Sequence, residues 1–84
     1  MPNPKLRVSA RWNIMEGRPE ITYVYESTND KGAGSARYSN MAIAGVAISG
    51  LIKRGYSLEI NEASFKADLR LEQTREELIQ AIGI

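Results

Sequence analysis

Hydrophobic and polar residues alternate along the first third of the chain in the pattern of two β-strands. Residues 5–14 place an apolar side chain at every second position, and the other face is basic or polar. The apolar positions are Leu6, Val8, Ala10, Trp12 and Ile14. Residues 20–27 alternate in the same way, and residues 15–19 contain a Gly and a Pro that favour a turn. The pattern therefore predicts an antiparallel β-hairpin.

The outer face of this hairpin also suggests a register. If Trp12 lies opposite Ile21, then Arg7 lies beside Glu26. Favourable cross-strand pairs contribute about 0.2–1 kcal/mol each, so the charges support this alignment.

Residues 40–54 have the period of an α-helix. Ser39 is the predicted N-cap, and the basic pair Lys53 and Arg54 suits the negative end of the helix before Gly55. One half of the helical wheel is apolar, comprising Met41, Ile43, Ala44, Ala47, Ile48, Leu51 and Ile52. The longest apolar stretch has twelve residues and is too short to span a membrane, since a spanning helix needs about 20.

The opposite side of the helix has small residues one turn apart. Gly45 and Ser49 allow another backbone to approach, and a Gly inside a helix costs about 0.8–1.0 kcal/mol relative to Ala. Two explanations remain open. Either the C-terminal helix packs there within the same fold, or a partner or a second copy does.

The last third of the chain predicts a second hairpin and a short helix. Residues 56–60 and 65–72 both alternate, whereas one helix over residues 61–82 would scatter the apolar side chains of the second stretch. Thr74 begins the sequence T-x-x-E, which is typical of a capping box. We therefore predict an α+β fold of order ββαββα, a two-layer sandwich. It has a four-stranded, mainly antiparallel sheet with two helices on one face, in a single domain of residues 1–84 with an extended tail at residues 1–4.

The segment NDKGAGSARYSN at residues 29–40 joins the first hairpin to the long helix. A phosphate-binding P-loop requires G-x-x-x-x-G-K-[ST], and a dinucleotide fingerprint requires G-x-G-x-x-G; the segment fits neither. The helical wheel favours a helix start near Ser39, because Arg37 would otherwise lie in the apolar half. We therefore expect residues 29–38 to form a flexible loop. It serves either as a connector or as a contact for a phosphate or carboxylate through Lys31 and Arg37.

Composition narrows the function classes. The chain contains neither His nor Cys, which excludes a disulfide framework and a Cys/His zinc site and removes the commonest general base and the most readily activated nucleophile. We therefore expect no catalytic, metal-binding or cofactor-binding residues. The beginning of the sequence lacks an apolar signal region, so a cytoplasmic location is expected.

Charge is distributed unevenly along the chain. Residues 1–56 carry eight Lys or Arg against four acidic residues, whereas residues 57–84 carry three against six. Nucleic-acid binding through phosphates is therefore one hypothesis, with Arg7, Arg11, Lys31 and Arg37 as possible contacts. The aromatic residues are expected on the helix-covered side of the sheet, which disfavours base stacking on the open side.

The leading hypothesis is a small non-enzymatic protein-binding module, an adaptor or inhibitor that docks on a larger protein or assembly. The candidate partner-binding residues are Lys31, Arg37, Tyr38, Gly45, Ser49, Lys53 and Arg54. A third hypothesis is a self-associating structural subunit, such as a homodimer, because small domains often gain buried area by association.

Overall fold

A computed structural model of the protein describes residues 3–84, which form an α+β fold of order βββαβαα. Its elements are β1 (Lys5–Asn13), β2 (Arg18–Tyr25), β3 (Gly34–Tyr38), α1 (Met41–Lys53), β4 (Ser57–Ile60), α2 (Glu62–Lys66) and α3 (Leu71–Ile82). The strands form one sheet in the order β3-β2-β1-β4. The sheet is mixed, because β2 pairs antiparallel with β1 and β3, whereas β4 is parallel to β1. The predicted α+β class and four-stranded sheet are confirmed. The predicted order ββαββα and the predicted two helices are wrong, because residues 3–84 form three helices, and the sheet is mixed since β4 is parallel to β1.

The first hairpin is confirmed, but its predicted register is wrong by two residues. Trp12 lies opposite Pro19, and Ile21 lies opposite Ala10. The turn is shorter than expected because Gly17 adopts a φ of 65° and donates its N–H to the Asn13 carbonyl at 2.8 Å. A shift of two residues keeps the side chains of both strands on their predicted faces. Ile14 is the exception to the predicted apolar face, because it lies in the turn and is 81% exposed.

The expectation of a loop throughout residues 29–38 is wrong, because its second half is strand β3. Ala36 and Tyr38 lie opposite Tyr23 and Ile21 of β2, on the core side of the sheet. The small residues of this strand conceal its alternation in the sequence, and pairing with β2 supplies the order that local propensity does not. Arg37 accordingly lies on a strand, opposite Thr22.

The predicted second hairpin is also wrong. Residues 57–60 do form a strand, but residues 65–72 belong to α2, the turn after it and the first turn of α3. Phe65 and Leu71 are both buried in the core from different helices, so the segment follows neither one helical wheel nor a strand. Thr74 lies inside α3 and is buried, so it is not the predicted cap.

The helices cover one face of the sheet, and the hydrophobic core lies between the helices and that face. Its buried members are Leu6, Val8, Ile21, Tyr23, Met41, Ala44, Ile48, Leu51, Tyr56, Phe65, Leu71, Leu78 and Ile82. Helix α1 is capped by Asn40 and not by Ser39, since the Asn40 side chain accepts the Ile43 N–H at 3.1 Å. The prediction that Ile43 belongs to the buried, apolar half of α1 is wrong, because Ile43 is 55% exposed.

The predicted N-terminal tail is only partly within the described residues. Met1 and Pro2 lie outside them, while the Pro4 carbonyl accepts the Ser57 N–H at 2.8 Å and extends the contact with β4. Within residues 3–84, no helix is long and apolar enough to cross a membrane.

Candidate functional site

An open cleft of about 230 Å³ lies between the C-terminal half of α1 and the core-facing side of β2. We call it the α1–β2 cleft. Its lining residues are Tyr23, Tyr25, Lys31, Val46, Ala47, Gly50, Leu51 and Arg54. A Cβ atom on Gly50 would have no neighbour within 4 Å, so the glycine leaves the helix wall bare at this point.

The floor of the cleft is a cluster of tyrosines. The Tyr25 ring lies 6.1 Å from that of Tyr23 and 5.9 Å from that of Tyr56, centroid to centroid. The Tyr56 hydroxyl donates to the Glu26 carbonyl at 3.1 Å, which fixes this corner of the cluster. Aromatic pairs of this kind contribute about 0.5–1.5 kcal/mol beyond their buried area, so the floor is preorganised.

Burial raises the pKa of Tyr23 to about 12, and the neighbouring Tyr38 hydroxyl adds to the effect. Tyr23 is therefore neutral at physiological pH. It can offer a hydrogen bond or an apolar ring, but it cannot serve as a base there.

A tight turn holds Lys31 at the rim of the cleft. The Thr28 hydroxyl accepts the Lys31 N–H at 3.0 Å, and the Thr28 N–H donates to the Lys31 carbonyl at 2.6 Å. The Lys31 Nζ atom lies 4.9 Å from the centre of the Tyr25 ring, a cation–π contact. Lys31 and Arg54 also line an adjoining cleft together, so two cations meet at this end of α1.

These cations differ from most basic residues of the protein in having no acidic partner among residues 3–84. Six Lys or Arg side chains form ion pairs, namely Lys5, Arg7, Arg11, Arg18, Arg70 and Arg75. The ion pairs of the described residues do not include Lys31, Arg37, Lys53 or Arg54. Positive charge near the α1–β2 cleft is therefore free to attract an anionic group.

Exposed apolar side chains continue from the cleft along α1. Ile43 is 55% exposed and Val46 is 71% exposed, and helical spacing places both on the same side as Gly50. Three apolar positions on consecutive turns thus face away from the core. An apolar strip with a cationic end is the kind of surface that binds another macromolecule.

The structure separates the predicted partner-binding residues. Lys31 and Arg54 come together at the cleft, and Lys53 is exposed at the same helix end. Arg37 lies on the open face of the sheet, while Tyr38 stacks on Tyr23 with the ring centres 5.9 Å apart.

Gly45 and Ser49 lie on another side of α1. Gly45 is buried against Ala81 of α3, which matches the intramolecular explanation for its small size, and Ser49 is half-buried one turn later. A partner could not contact Gly45 while α3 remains packed on α1.

The predicted phosphate contacts are also separated. On the open face of the sheet, Arg7 lies 3.4 Å from a Glu26 carboxylate oxygen, and Arg11 lies 2.7 Å from a Glu20 oxygen. Hydrogen bonds from Asn13 and Arg11 lower the pKa of Glu20, so this carboxylate stays charged and keeps Arg11 engaged. The open face is therefore a surface of mixed charge.

Of the eight residues that line the cleft, sequence reasoning identified Lys31 and Arg54 as binding residues and missed the other six. Tyr25 resembles an ordinary core residue, because alternation shows which face it occupies but not that one end of that face is uncovered. Val46 and Gly50 fall on the small-residue side of α1, and a valine there was the available signal. The residues that surround Val46 in space are evident only from the packing of α1 on β2.

The side chains that line the α1–β2 cleft can supply positive charge, hydrogen bonds and apolar contacts. Its lining residues include two cations and two tyrosines but no carboxylate. Within residues 3–84, no group of three or more acidic side chains is placed to hold a metal ion. Comparisons with protein-family models, with curated proteins and with solved structures found no match to this chain.

Proposed function

We propose that this protein is a small non-enzymatic protein-binding module, an adaptor or inhibitor that docks on a larger protein through the α1–β2 cleft. One observation carries the proposal. Two cations without acidic partners, Lys31 and Arg54, flank an aromatic and apolar surface that no other part of residues 3–84 covers.

This arrangement has the features of a protein interface. Interfaces combine an apolar centre with a polar rim and are enriched in Tyr and Arg. In the cleft, Tyr25 and Val46 supply the centre and Arg54 supplies part of the rim. The tyrosine cluster is already packed, so few side chains would lose freedom on binding, and this lowers the cost of association.

A binding role also accounts for the chemistry of the lining residues better than catalysis does. General acid–base catalysis needs a group that titrates near the working pH. Tyr23 has a pKa of about 12, and the cleft has neither a carboxylate nor an imidazole.

The test compares what four forms of the protein retain from a nuclease-treated lysate of the native host at moderate salt. The forms are the wild type, Lys31→Glu, Arg54→Glu and the matched control Lys66→Glu, which reverses an exposed lysine away from the cleft. We expect the same protein to be retained by the wild type and the control, and to be lost from both cleft variants.

Two results would overturn the proposal. One is the absence of any protein retained by the wild type above background. The other is equal retention by all four forms, which would place the binding surface elsewhere. Circular dichroism of each variant must first show native folding.

Four of the five cations that form no ion pair among residues 3–84 also favour nucleic acid as the second candidate partner. Arg37, Lys31, Lys53 and Arg54 could contact phosphates, although Arg7 and Arg11 are already engaged by carboxylates. This alternative predicts that the logarithm of the binding constant falls linearly with the logarithm of salt concentration. Absence of binding to oligonucleotides at low salt would exclude it.

A further inference from the structure

Strand β3 forms one edge of the sheet and is hydrogen-bonded on one side only. It is the terminal strand in the order β3-β2-β1-β4, and β2 is its single neighbour. Outside that ladder, no hydrogen bond among the described residues involves the backbone of Gly34–Tyr38. An exposed strand edge is a template on which another extended chain can pair.

The surroundings of this edge would select the side chains of such a chain. Side chains of an added strand point alternately to the two faces of the sheet. On the open face the added strand would meet Arg37, which is exposed and opposite Thr22. On the helix-covered face its neighbours on β3 would be Ala36 and Tyr38, and the α1–β2 cleft lies beyond them on the same face of the sheet.

On the helix-covered side, the character of the surface changes from one end of β3 to the other. Lys31 precedes β3 by three residues, and it shares the cleft with Arg54 at the C-terminal end of α1. Ile43 lies at the other end of the helix, close in sequence to the end of β3. This side is therefore cationic near Gly34 and apolar towards Tyr38.

We propose that the β3 edge accepts an extended, acidic segment of the partner protein as a fifth strand. The inference rests on the proposed function and specifies the partner's chemistry. Main-chain hydrogen bonds to β3 supply affinity. Acidic side chains of the segment contact Arg37 on one face and Lys31 and Arg54 on the other, while an apolar side chain packs on Val46.

Charge argues against a second copy of this chain as the occupant. Strand β3 carries Arg37 and no acidic residue, so pairing two β3 strands would bring like charges together on one face of the joined sheet. Like charges placed near one another across strands are destabilising. A segment with acidic side chains has the opposite effect.

The probe is a short capped peptide of Glu and Val with Glu at both odd and even positions, so that both faces of the added strand carry a carboxylate. It is titrated into the isotopically labelled protein. We expect backbone amide shifts concentrated at Gly34–Tyr38 and slower amide hydrogen exchange there. A peptide with Lys in place of Glu is expected not to bind. An acidic peptide N-methylated at every residue cannot donate main-chain hydrogen bonds from either edge. It should bind at least about tenfold more weakly, because its main-chain hydrogen bonds to β3 are lost.

Proline variants provide an independent test. In an edge strand, proline is tolerated where the N–H points outward and breaks the ladder where it points to the neighbouring strand. Of Ser35→Pro and Ala36→Pro, the variant that keeps the wild-type melting temperature is the one whose N–H points outward. It should lose peptide binding while remaining folded.

The outcomes separate this inference from the proposed function. Absence of binding by the acidic peptide at millimolar concentration, equal binding of the N-methylated peptide, or shifts away from β3 would each overturn it. It would also be overturned if the protein dimerised through β3 and the peptide left that dimerisation unchanged. Binding of an oligonucleotide at β3, without binding of the peptide, would overturn it as well. A lysate protein retained by the wild type and lost from Lys31→Glu would still support the proposed function.

Discussion

Gly45 of α1 lies so close to Ala81 of α3 that the two helices touch through their backbones. A Cβ atom built on Gly45 would be 2.7 Å from the Ala81 carbonyl carbon. Contacts this short do not occur in folded proteins, so any larger residue at position 45 must push α3 away. The small residue thus sets the distance between the two main helices, and Leu78 and Ile82 of α3 are buried as a result.

Replacing Gly45 by Ala is therefore expected to destabilise the fold. Overpacking costs about 1–3 kcal/mol, and Ala regains about 1 kcal/mol of helix propensity, so we expect the free energy of unfolding to fall by about 1 kcal/mol. Urea unfolding followed by circular dichroism measures it. Gly50→Ala is the matched control, because it has open space at the same helix, and its free energy of unfolding should rise by about 0.8–1.0 kcal/mol. A similar gain at both positions would contradict the helix contact.

Gly34 is expected to be intolerant for a different reason. A Cβ atom there would lie 2.6 Å from Cζ of Tyr25, whose ring is held among Tyr23, Tyr56 and Lys31. Gly34→Ala must turn that ring and disturb the floor of the α1–β2 cleft. We expect a loss of about 1–3 kcal/mol in the free energy of unfolding.

Two further variants check this explanation. Gly32→Ala has no atom within 4 Å of the new methyl group and should change stability by less than about 0.5 kcal/mol. In a protein that already carries Tyr25→Leu, Gly34→Ala should lower the free energy of unfolding by less than it does in the wild type. Strict additivity of the two changes would refute a direct contact.

Acid should weaken the turn between α2 and α3. Arg70 donates two short hydrogen bonds to Asp68, at 2.6 and 3.0 Å, and lies 4.5 Å from the centre of the Trp12 ring. Hydrogen bonding by Arg70 lowers the pKa of Asp68 to about 2 from its ordinary value of 3.8. Because the folded state binds this proton less readily, the contribution is present above the ordinary pKa and is lost as pH falls towards 2.

We therefore expect the free energy of unfolding to decrease on acidification through this range, with an altered fluorescence of Trp12. Glu20 and Glu62 also have lowered pKa values, so they contribute to the same decrease. In Asp68→Asn the decrease should be smaller but not abolished. An unchanged pH profile in that variant would contradict the assigned role of the Asp68–Arg70 pair.

Two isoleucines of α1 provide a test of which side of the helix is buried. Ile48 is fully buried, whereas Ile43 is 55% exposed. Ile48→Ala should lower the free energy of unfolding by about 2–5 kcal/mol, as truncations in cores do. Ile43→Ala should change it by less than about 1 kcal/mol and should reduce partner retention. Comparable losses of stability in the two variants would contradict the burial of Ile48 and the exposure of Ile43.

The candidate site was only partly predictable from sequence. The basic residues Lys31 and Arg54 were identifiable from their positions beside a glycine-rich segment and at a helix end. Their meeting in one cleft was not, because 23 positions separate them in the sequence and only the packing of α1 against β2 brings them together. The same packing removes Gly45 from the surface.

The sequence by itself determined the elements whose side chains repeat with one clear period. The alternation of β1 and β2 decided the hairpin and its faces, and the helical period of residues 41–53 decided α1. Tertiary structure decided the rest. Strand β3 exists because β2 offers an unpaired edge, and Phe65 and Leu71 belong to separate helices because each fills a different part of the core. Local sequence cannot specify these elements, since pairing and burial depend on residues that are distant along the chain.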